Sequence, residues 1–167
     1  MDRSVPLVIR LAAEPDLPEL EWNGEYRHYR RLFDKAMEDA RHGRRVLLLA
    51  EVDGQIVGQI FIQLSTKPAF SILGKASGYL YAFRVKVPHR NHGIGTHLIT
   101  EAESQLRLRG HSRAVISVAV RNVAARRLYE RLDYRIISED PGEWSYVDHL
   151  GRLRNVHEPS FVLEKWL

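Results

Sequence analysis

A mixed α/β domain built around one sheet is the fold class that this sequence predicts, and three observations predict it. β-rich and amphipathic-helical stretches alternate along the chain, an Asp53-Gly54 pair joins two β-rich runs, and a long aromatic strand runs into a glycine turn that opens a well-bounded helix. With 167 residues, 44% hydrophobic and 28% charged, the chain can bury one substantial core but not comfortably two. A single domain over residues 1–167 with one site is therefore expected.

Val5 to Leu11 reads as a first short strand, and Glu14-Pro15-Asp16 then supplies turn and helix-start chemistry ahead of Leu17 and Leu20. From Tyr26 to His42 the residues Tyr29, Leu32, Phe33, Ala36, Met37 and Ala40 recur at helical spacing, which predicts a second helix closed by Gly43. Glu21 to Gly24 join the two as a mobile lip. Val46 to Val52 and Gln55 to Leu64 flank Asp53-Gly54, a link that predicts an antiparallel hairpin. After a loop from Ser65 to Ser77, the aromatic and β-branched stretch Gly78 to Val87 reads as a long strand ended by Pro88.

His92 to Arg109 carries Ile94, Leu98, Ile99, Ala102 and Leu106 on one face and stops at Gly110, a helix. Ala114 to Val120 is a buried strand, Val123 to Leu132 a further helix, and Tyr134 to Ser138 a strand. Two more strands, Trp144 to Val147 and Pro159 to Lys165, lie around a turn at Gly151. Gly78 to Val87, His92 to Arg109 and Ala114 to Val120 make a β-α-β unit, so its strands should run parallel with a right-handed crossover.

Composition removes several function classes. No cysteine is present, so there is no disulfide, no thiolate nucleophile and no cysteine-held metal. The 8 histidines form no His-x-x-x-His or His-Glu-x-x-His pattern, and no metal is expected. No apolar run approaches the roughly 20 residues that cross a bilayer, and no signal peptide is recognisable, which gives a cytoplasmic expectation with no membrane partner. The net charge of +4 is spread along the chain. It predicts no nucleic-acid partner and is explained equally well by a basic cleft for a phosphorylated ligand. A homodimer is compatible with the sequence.

The segment Arg90-Asn91-His92-Gly93-Ile94-Gly95-Thr96 joins a strand end to a helix start, where backbone N–H groups lack helical partners and the helix dipole is positive. Gly93 and Gly95 clear the way for an anion, Thr96 adds a hydroxyl and Arg90 adds charge at the rim. Taken alone, the same glycines are explained as well by turning and helix packing.

The stretch Val85-Lys86-Val87-Pro88-His89-Arg90-Asn91-His92-Gly93-Ile94-Gly95 resembles the acetyl-CoA signature Arg/Gln-x-x-Gly-x-Gly/Ala of the GCN5-related N-acetyltransferase (GNAT) family. A second family motif, Asn-x-x-Ala-x-x-Leu-Tyr, is matched by Asn122-Val123-Ala124-Ala125-Arg126-Arg127-Leu128-Tyr129. The resemblance implies a three-layer α-β-α fold with splayed central strands and acetyl-CoA as cosubstrate. It places the pyrophosphate on Arg90, Asn91, His92, Gly93, Gly95 and Thr96, the pantetheine arm and acetyl carbonyl on the backbone of Val85 and Val87, and Asn122 on the cofactor side. It also implies that Tyr129 is the general acid that reprotonates the departing thiolate. Without the resemblance, Tyr129 reads as a core aromatic and Asn122 as a helix cap.

The sequence departs from the family pattern in three places. Asp133-Tyr134 stands where Gly-Phe or Gly-Tyr is common, Asn91 and His92 replace the usual Gly and basic residue of the turn, and Tyr79 to Val85 holds no glutamate to act as base. Glu21, Glu25, Glu143, Asp148 or a water chain remain as bases, none of them assigned. The implied function is transfer of acetyl from acetyl-CoA to a primary amine, of a small molecule or a peptide N-terminus, by direct attack in a ternary complex. A non-catalytic acyl-CoA binding or sensing module is the alternative. Trp22, Tyr26, Trp144 and Tyr146 are candidates for an aromatic acceptor wall, with plain packing an equal explanation.

Overall fold

A computed structural model describes residues 6–64 and 77–167 of the chain. Apart from Ser77, the loop expected from Ser65 falls outside those residues, as does Val5.

Strand β1 (Leu7–Leu11) pairs antiparallel with β2 (Arg45–Val52). Between them lie 3-10 segments at Glu14–Glu21 and Arg27–Tyr29, then helix α1 (Arg30–Arg41). The expected first helix is thus a 3-10 segment. Pro18 within it removes the donor that would reach back to Glu14 and so interrupts the regular i to i−4 ladder, whereas Pro15, in the first turn, costs no such bond. β2 turns through Asp53 and Gly54, at φ 53° and 73°, into β3 (Gln55–Gln63), the hairpin expected of that pair.

The β-α-β unit follows as β4 (Ser77–Val85), α2 (Ile94–Leu108) and β5 (Arg113–Ala119), with β4 and β5 parallel. After α3 (Val123–Arg131) come β6 (Arg135–Asp140), β7 (Glu143–Val147), β8 (Leu153–His157) and β9 (Ser160–Trp166). The main sheet has 7 strands in the order β1-β2-β3-β4-β5-β9-β6. β9 inserts antiparallel between β5 and β6, and β7 with β8 forms a separate hairpin. β8 was not among the sequence-based expectations. Its residues, Leu153-Arg154-Asn155-Val156-His157, are mostly exposed and carry no buried alternation to betray a strand.

The period of two sorts β2 between the two sheet faces. Leu47 and Leu49 join Phe33, Ala36, Met37 and Leu20 under α1, while Val46, Leu48 and Ala50 join Leu98, Ile99, Ala102 and Leu106 under α2. Ala125, Leu128 and Tyr129 of α3 pack with the α2 cluster, completing three layers. Buried charges pin the C-terminal strands. Glu164 of β9 accepts from Arg113 at 2.6 Å and Arg135 at 2.8 Å, and Glu103 of α2 accepts from Tyr134 at 2.9 Å and Lys165 at 3.0 Å. Removing Arg113, itself buried beside Glu164, would leave that carboxylate with exposed Arg135 alone and cost on the order of 3 kcal/mol.

Candidate functional site

The site starts with an irregularity in β4. Gln59 of β3 pairs with Arg84 and Phe61 with Tyr81, so Ile60 alone faces two residues, Ala82 and Phe83. Ala82 takes φ 50°, a left-handed conformation that costs an alanine about 1 kcal/mol. The bulge turns Tyr81 and Ala82 to the α1 face together, and Phe83 and Val85 then face the α2 cluster. β4 pairs with β5 only from Ser77 to Leu80, stopping where the bulge begins. Beyond Leu80 the strands part and leave a slot.

Backbone alternation places Val85 at the open edge of that slot. The N–H of Lys86 donates to Val57 O at 2.8 Å, so the N–H and C=O of Val85 point away from β3. The Val85 carbonyl accepts from Nε of exposed Arg90 at 2.9 Å, which ties that arginine to the edge of the slot. The strand ends at Val85, two residues earlier than expected. Val87, 70% exposed, lies in a 3-10 turn (Val87–His89) because Pro88 fixes the backbone there.

The glycine turn reaches α2 through two left-handed residues, Asn91 at φ 61° and Gly93 at φ 80°. Asn91, His92 and Gly93 are exposed, and Thr96 is partly buried in the first turn of α2. No side chain caps α2, so the first amides of the helix remain as donors around Gly93. Gly95 also has a packing cause. A Cβ there would lie 3.0 Å from Phe83 Cζ and 3.4 Å from Leu128 Cδ2, so its absence lets α2 close on the slot strand and α3.

Tyr129 is 4% exposed, with its ring 6.1 Å from Phe83 and 6.3 Å from Tyr134. Burial, then the nearby Tyr79, pushes its phenol well above the ordinary tyrosine value, so it keeps its proton across the neutral range. Tyr79, at the point of parting, is hydrogen-bonded to Ser117 and is likewise pushed up by burial. Asn122 caps α3, its Oδ1 accepting from Ala125 N at 3.2 Å, and is exposed. Asp133 takes φ 71°, the left-handed position that the family usually gives to glycine.

The carboxylates considered as bases are engaged elsewhere or exposed. Asp148 is fully buried and accepts from the amides of Leu150 and Arg152 at 2.9 Å and from Arg154 at 2.8 Å. These contacts, chiefly the Arg152 amide, hold it far below the usual carboxylate range, where it is a poor base. Glu21 is held by Arg30 through two hydrogen bonds of 2.8 Å, and its pKa is lowered for that reason. Glu143 and Glu25 are exposed. Among the described residues no group of His, Cys, Asp and Glu could hold a metal, and no helix is long and apolar enough to cross a membrane.

The four expected aromatic wall residues come together, joined by a fifth. Trp22 packs on Tyr26 at 5.4 Å, and Tyr26 stacks on Tyr29 at 6.2 Å. Tyr29 in turn meets Tyr146 at 5.1 Å and Trp144 at 6.4 Å. The β7–β8 hairpin thus closes on the start of α1 as a lip. Sequence reasoning missed Ala82, Phe83, Tyr79 and Arg84. Only Arg84, a cation in an otherwise uncharged β4, left a visible signal.

The family model of the acetyltransferase (GNAT) family matches residues 11–134. The chain belongs to the GNAT acetyltransferase family. An uncharacterized N-acetyltransferase of Methanocaldococcus jannaschii is 33% identical over 88 residues, 52% of this chain and 51% of that protein, so the match spans about half the relative's length. Ard1 from Thermoplasma volcanium superposes with a TM-score of 0.74 at 16% identity, over 98% of this chain and 99% of the other. Arabidopsis thaliana NAA60 in complex with acetyl-CoA gives 0.72 at 19%, over 97% and 99%. The E. coli ribosomal-protein-S18-alanine N-acetyltransferase gives 0.71 at 17%, over 96% and 94%. At these identities the three structures establish the shared fold.

Proposed function

We propose that this GNAT chain is a single-domain, cytoplasmic N-acetyltransferase that moves acetyl from acetyl-CoA to a primary amine. The observation that carries the reading is the slot itself. β4 leaves β5 after Leu80, and the free edge at Val85 opens beside the uncapped start of α2 and the buried phenol of Tyr129. The ligands bound by structural relatives support the cosubstrate and acceptor classes. NAA60 is described with acetyl-CoA, and Arabidopsis thaliana Naa50 with the bisubstrate analogue CoA-Ac-MVNAL.

The amides around Gly93, with Asn91, His92, Gly95 and Thr96, hold the pyrophosphate. Arg90 leaves the Val85 carbonyl and turns to the phosphates, freeing that carbonyl for the pantetheine amide. The backbone of Val85 and Val87 aligns the arm, and the Val85 N–H polarises the acetyl carbonyl. Asn122 lines the opening.

The acceptor enters as a free amine, having lost a proton to water. Its nitrogen attacks the thioester carbon in the ternary complex, the C–S bond breaks, and the nitrogen releases its surplus proton to water. Tyr129 gives its proton to the leaving thiolate and regains one from solvent. Absence of cysteine leaves the direct route in place of a thioester-linked enzyme.

A thiol-release screen over small amines, amino acids and peptide N-termini tests the reading. Release on one class supports the enzyme. Saturable acetyl-CoA binding with no release on any acceptor would replace it with the sensing module.

A further inference from the structure

Resting on the reading as an amine acetyltransferase, we propose that Arg84 anchors a carboxylate carried by the acceptor, and that the Trp22–Gly24 turn is the flap that uncovers it. Arg84 directly precedes Val85 and points to the opposite face, under the lip. Its guanidinium lies 3.5 Å from the Tyr26 ring, 4.8 Å from Trp22 and 5.6 Å from Phe33. The start of α2 packs with the other face, so the cosubstrate's phosphates do not account for this cation.

Arg84 differs from the other arginines of the interior. Arg113 meets Glu164 at 2.6 Å and Arg45 meets Asp39 at 3.0 Å, but among the described residues no carboxylate lies within ion-pair distance of Arg84. Its Nε is buried with no hydrogen-bond partner. Burial pulls its pKa below the ordinary arginine value, and the Tyr26 phenol, which hydrogen-bonds it, with Tyr29 and the exposed Glu25, offsets only part of that cost. The group is nonetheless built in. Its NH2 donates to Gln59 Oε1 at 2.9 Å and Leu20 O at 3.1 Å, and buried Gln59 is fixed in turn by donating to the bulge carbonyl of Ala82 at 3.1 Å. The fork is oriented from beneath while Nε is left over.

The surroundings repeat the pattern. Trp22 Nε1 and His149 Nδ1 are also buried without partners. His28, pushed down by burial, also feels the positive charges of His149, Arg84 and Arg154, against a single nearby acid, Asp148. That acid is saturated by its own amides and arginines. The lip therefore holds spare buried donors, and the acids near them, exposed Glu25 and the saturated Asp148, make no ion pair with Arg84, which is the chemistry that recognises a carboxylate. Its cover is strained. Trp22, Asn23 and Gly24 are left-handed in succession, at φ 47°, 55° and 96°. Trp22 holds that conformation as the C-cap of the 3-10 segment, and a bulky residue there stores strain that opening of the turn would release.

The carboxylate has two chemical sources, a free amino acid or an acidic side chain beside a peptide's N-terminal amine, and paired acceptors separate them. One arm compares amino acids with their carboxamides. The other compares peptides bearing Glu or Gln at the second position. Wild type should prefer the carboxylate member of one pair by about tenfold or more in kcat/KM, mainly through KM. Arg84→Gln should erase that preference and Arg84→Lys keep part of it.

Acetyl-CoA titration of each variant checks the fold. Should Arg84→Gln fail that check, the wild-type preference and its reduction in Arg84→Lys decide. Equal turnover within both pairs, or a preference that survives Arg84→Gln, overturns the anchor while leaving the acetyltransferase reading intact. No acetyl-CoA binding by wild type sinks both. If acetyl-CoA binds but no acceptor turns over, titrating the CoA-loaded protein with the amino acids and Glu peptides decides, and absence of heat overturns the anchor.

Discussion

The two walls of the slot are made of different material. On the α2 side the groups proposed to bind are backbone amides, set by Asn91, Gly93 and the uncapped helix start. On the α1 side they are rings and cations, Trp22, Tyr26, Tyr29, Tyr146 and Arg84, gathered from segments far apart in the chain. A backbone wall binds whatever is common to all reactions of the fold, whereas a side-chain wall can change its preference without disturbing the other.

The sharpest way to break that division is Gly93→Glu. It puts a carboxylate against the cradle and a side chain at φ 80°, and should weaken acetyl-CoA binding by more than about a hundredfold. Trp144→Ala, on the other wall, should alter acceptor KM and leave acetyl-CoA affinity within about twofold. Calorimetry on both variants reads the contrast. Equal losses would mean that the walls are not separate.

Tyr129→Phe probes the groove between them. Turnover should fall by about ten- to a hundredfold with KM for acetyl-CoA unchanged, as steady-state kinetics will show. The raised phenols also set an alkaline limit. Tyr129 and Tyr134 titrate higher folded than unfolded, so the neutral form favours the fold. Their stabilisation is complete below the unfolded value of about 10 and is lost as pH rises above it. Denaturation midpoints should hold steady up to that pH and fall beyond it, and Tyr129→Phe should reduce the slope by up to about 1.4 kcal/mol per pH unit. The smallest effect is expected at Asp133→Gly. Relief of a left-handed aspartate should add about 0.5–1 kcal/mol in chemical denaturation and leave catalysis alone.

The same division explains what could be read in the sequence. The hairpin at Asp53-Gly54, the parallel unit around α2 and the glycine turn that opens it were legible because each is written in short runs of the chain. Asp133 took the left-handed position that its place in the motif implied. The bulge at Ala82 was not legible. It arises from the register of β3 against β4, and an alanine gives no sign of a conformation that usually calls for glycine. β8 escaped because an exposed hairpin strand has no apolar alternation. The first helix became a 3-10 segment because Pro18, inside it, outweighed its helix-start chemistry. The four wall aromatics were named, but Tyr29, which joins them, was read only as part of a helix stripe. Arg84 stood out by charge, yet its lack of a counter-ion is a fact of tertiary packing.

A backbone cradle at the start of α2, beside the free edge of β4, is proposed to hold acetyl-CoA. Calorimetric titration of the wild-type chain and Gly93→Glu with acetyl-CoA is the decisive test. Saturable one-to-one binding is expected of wild type, and the substitution should remove it while the variant keeps a cooperative thermal transition. Absence of binding by wild type, or equal affinity in the folded variant, would contradict it.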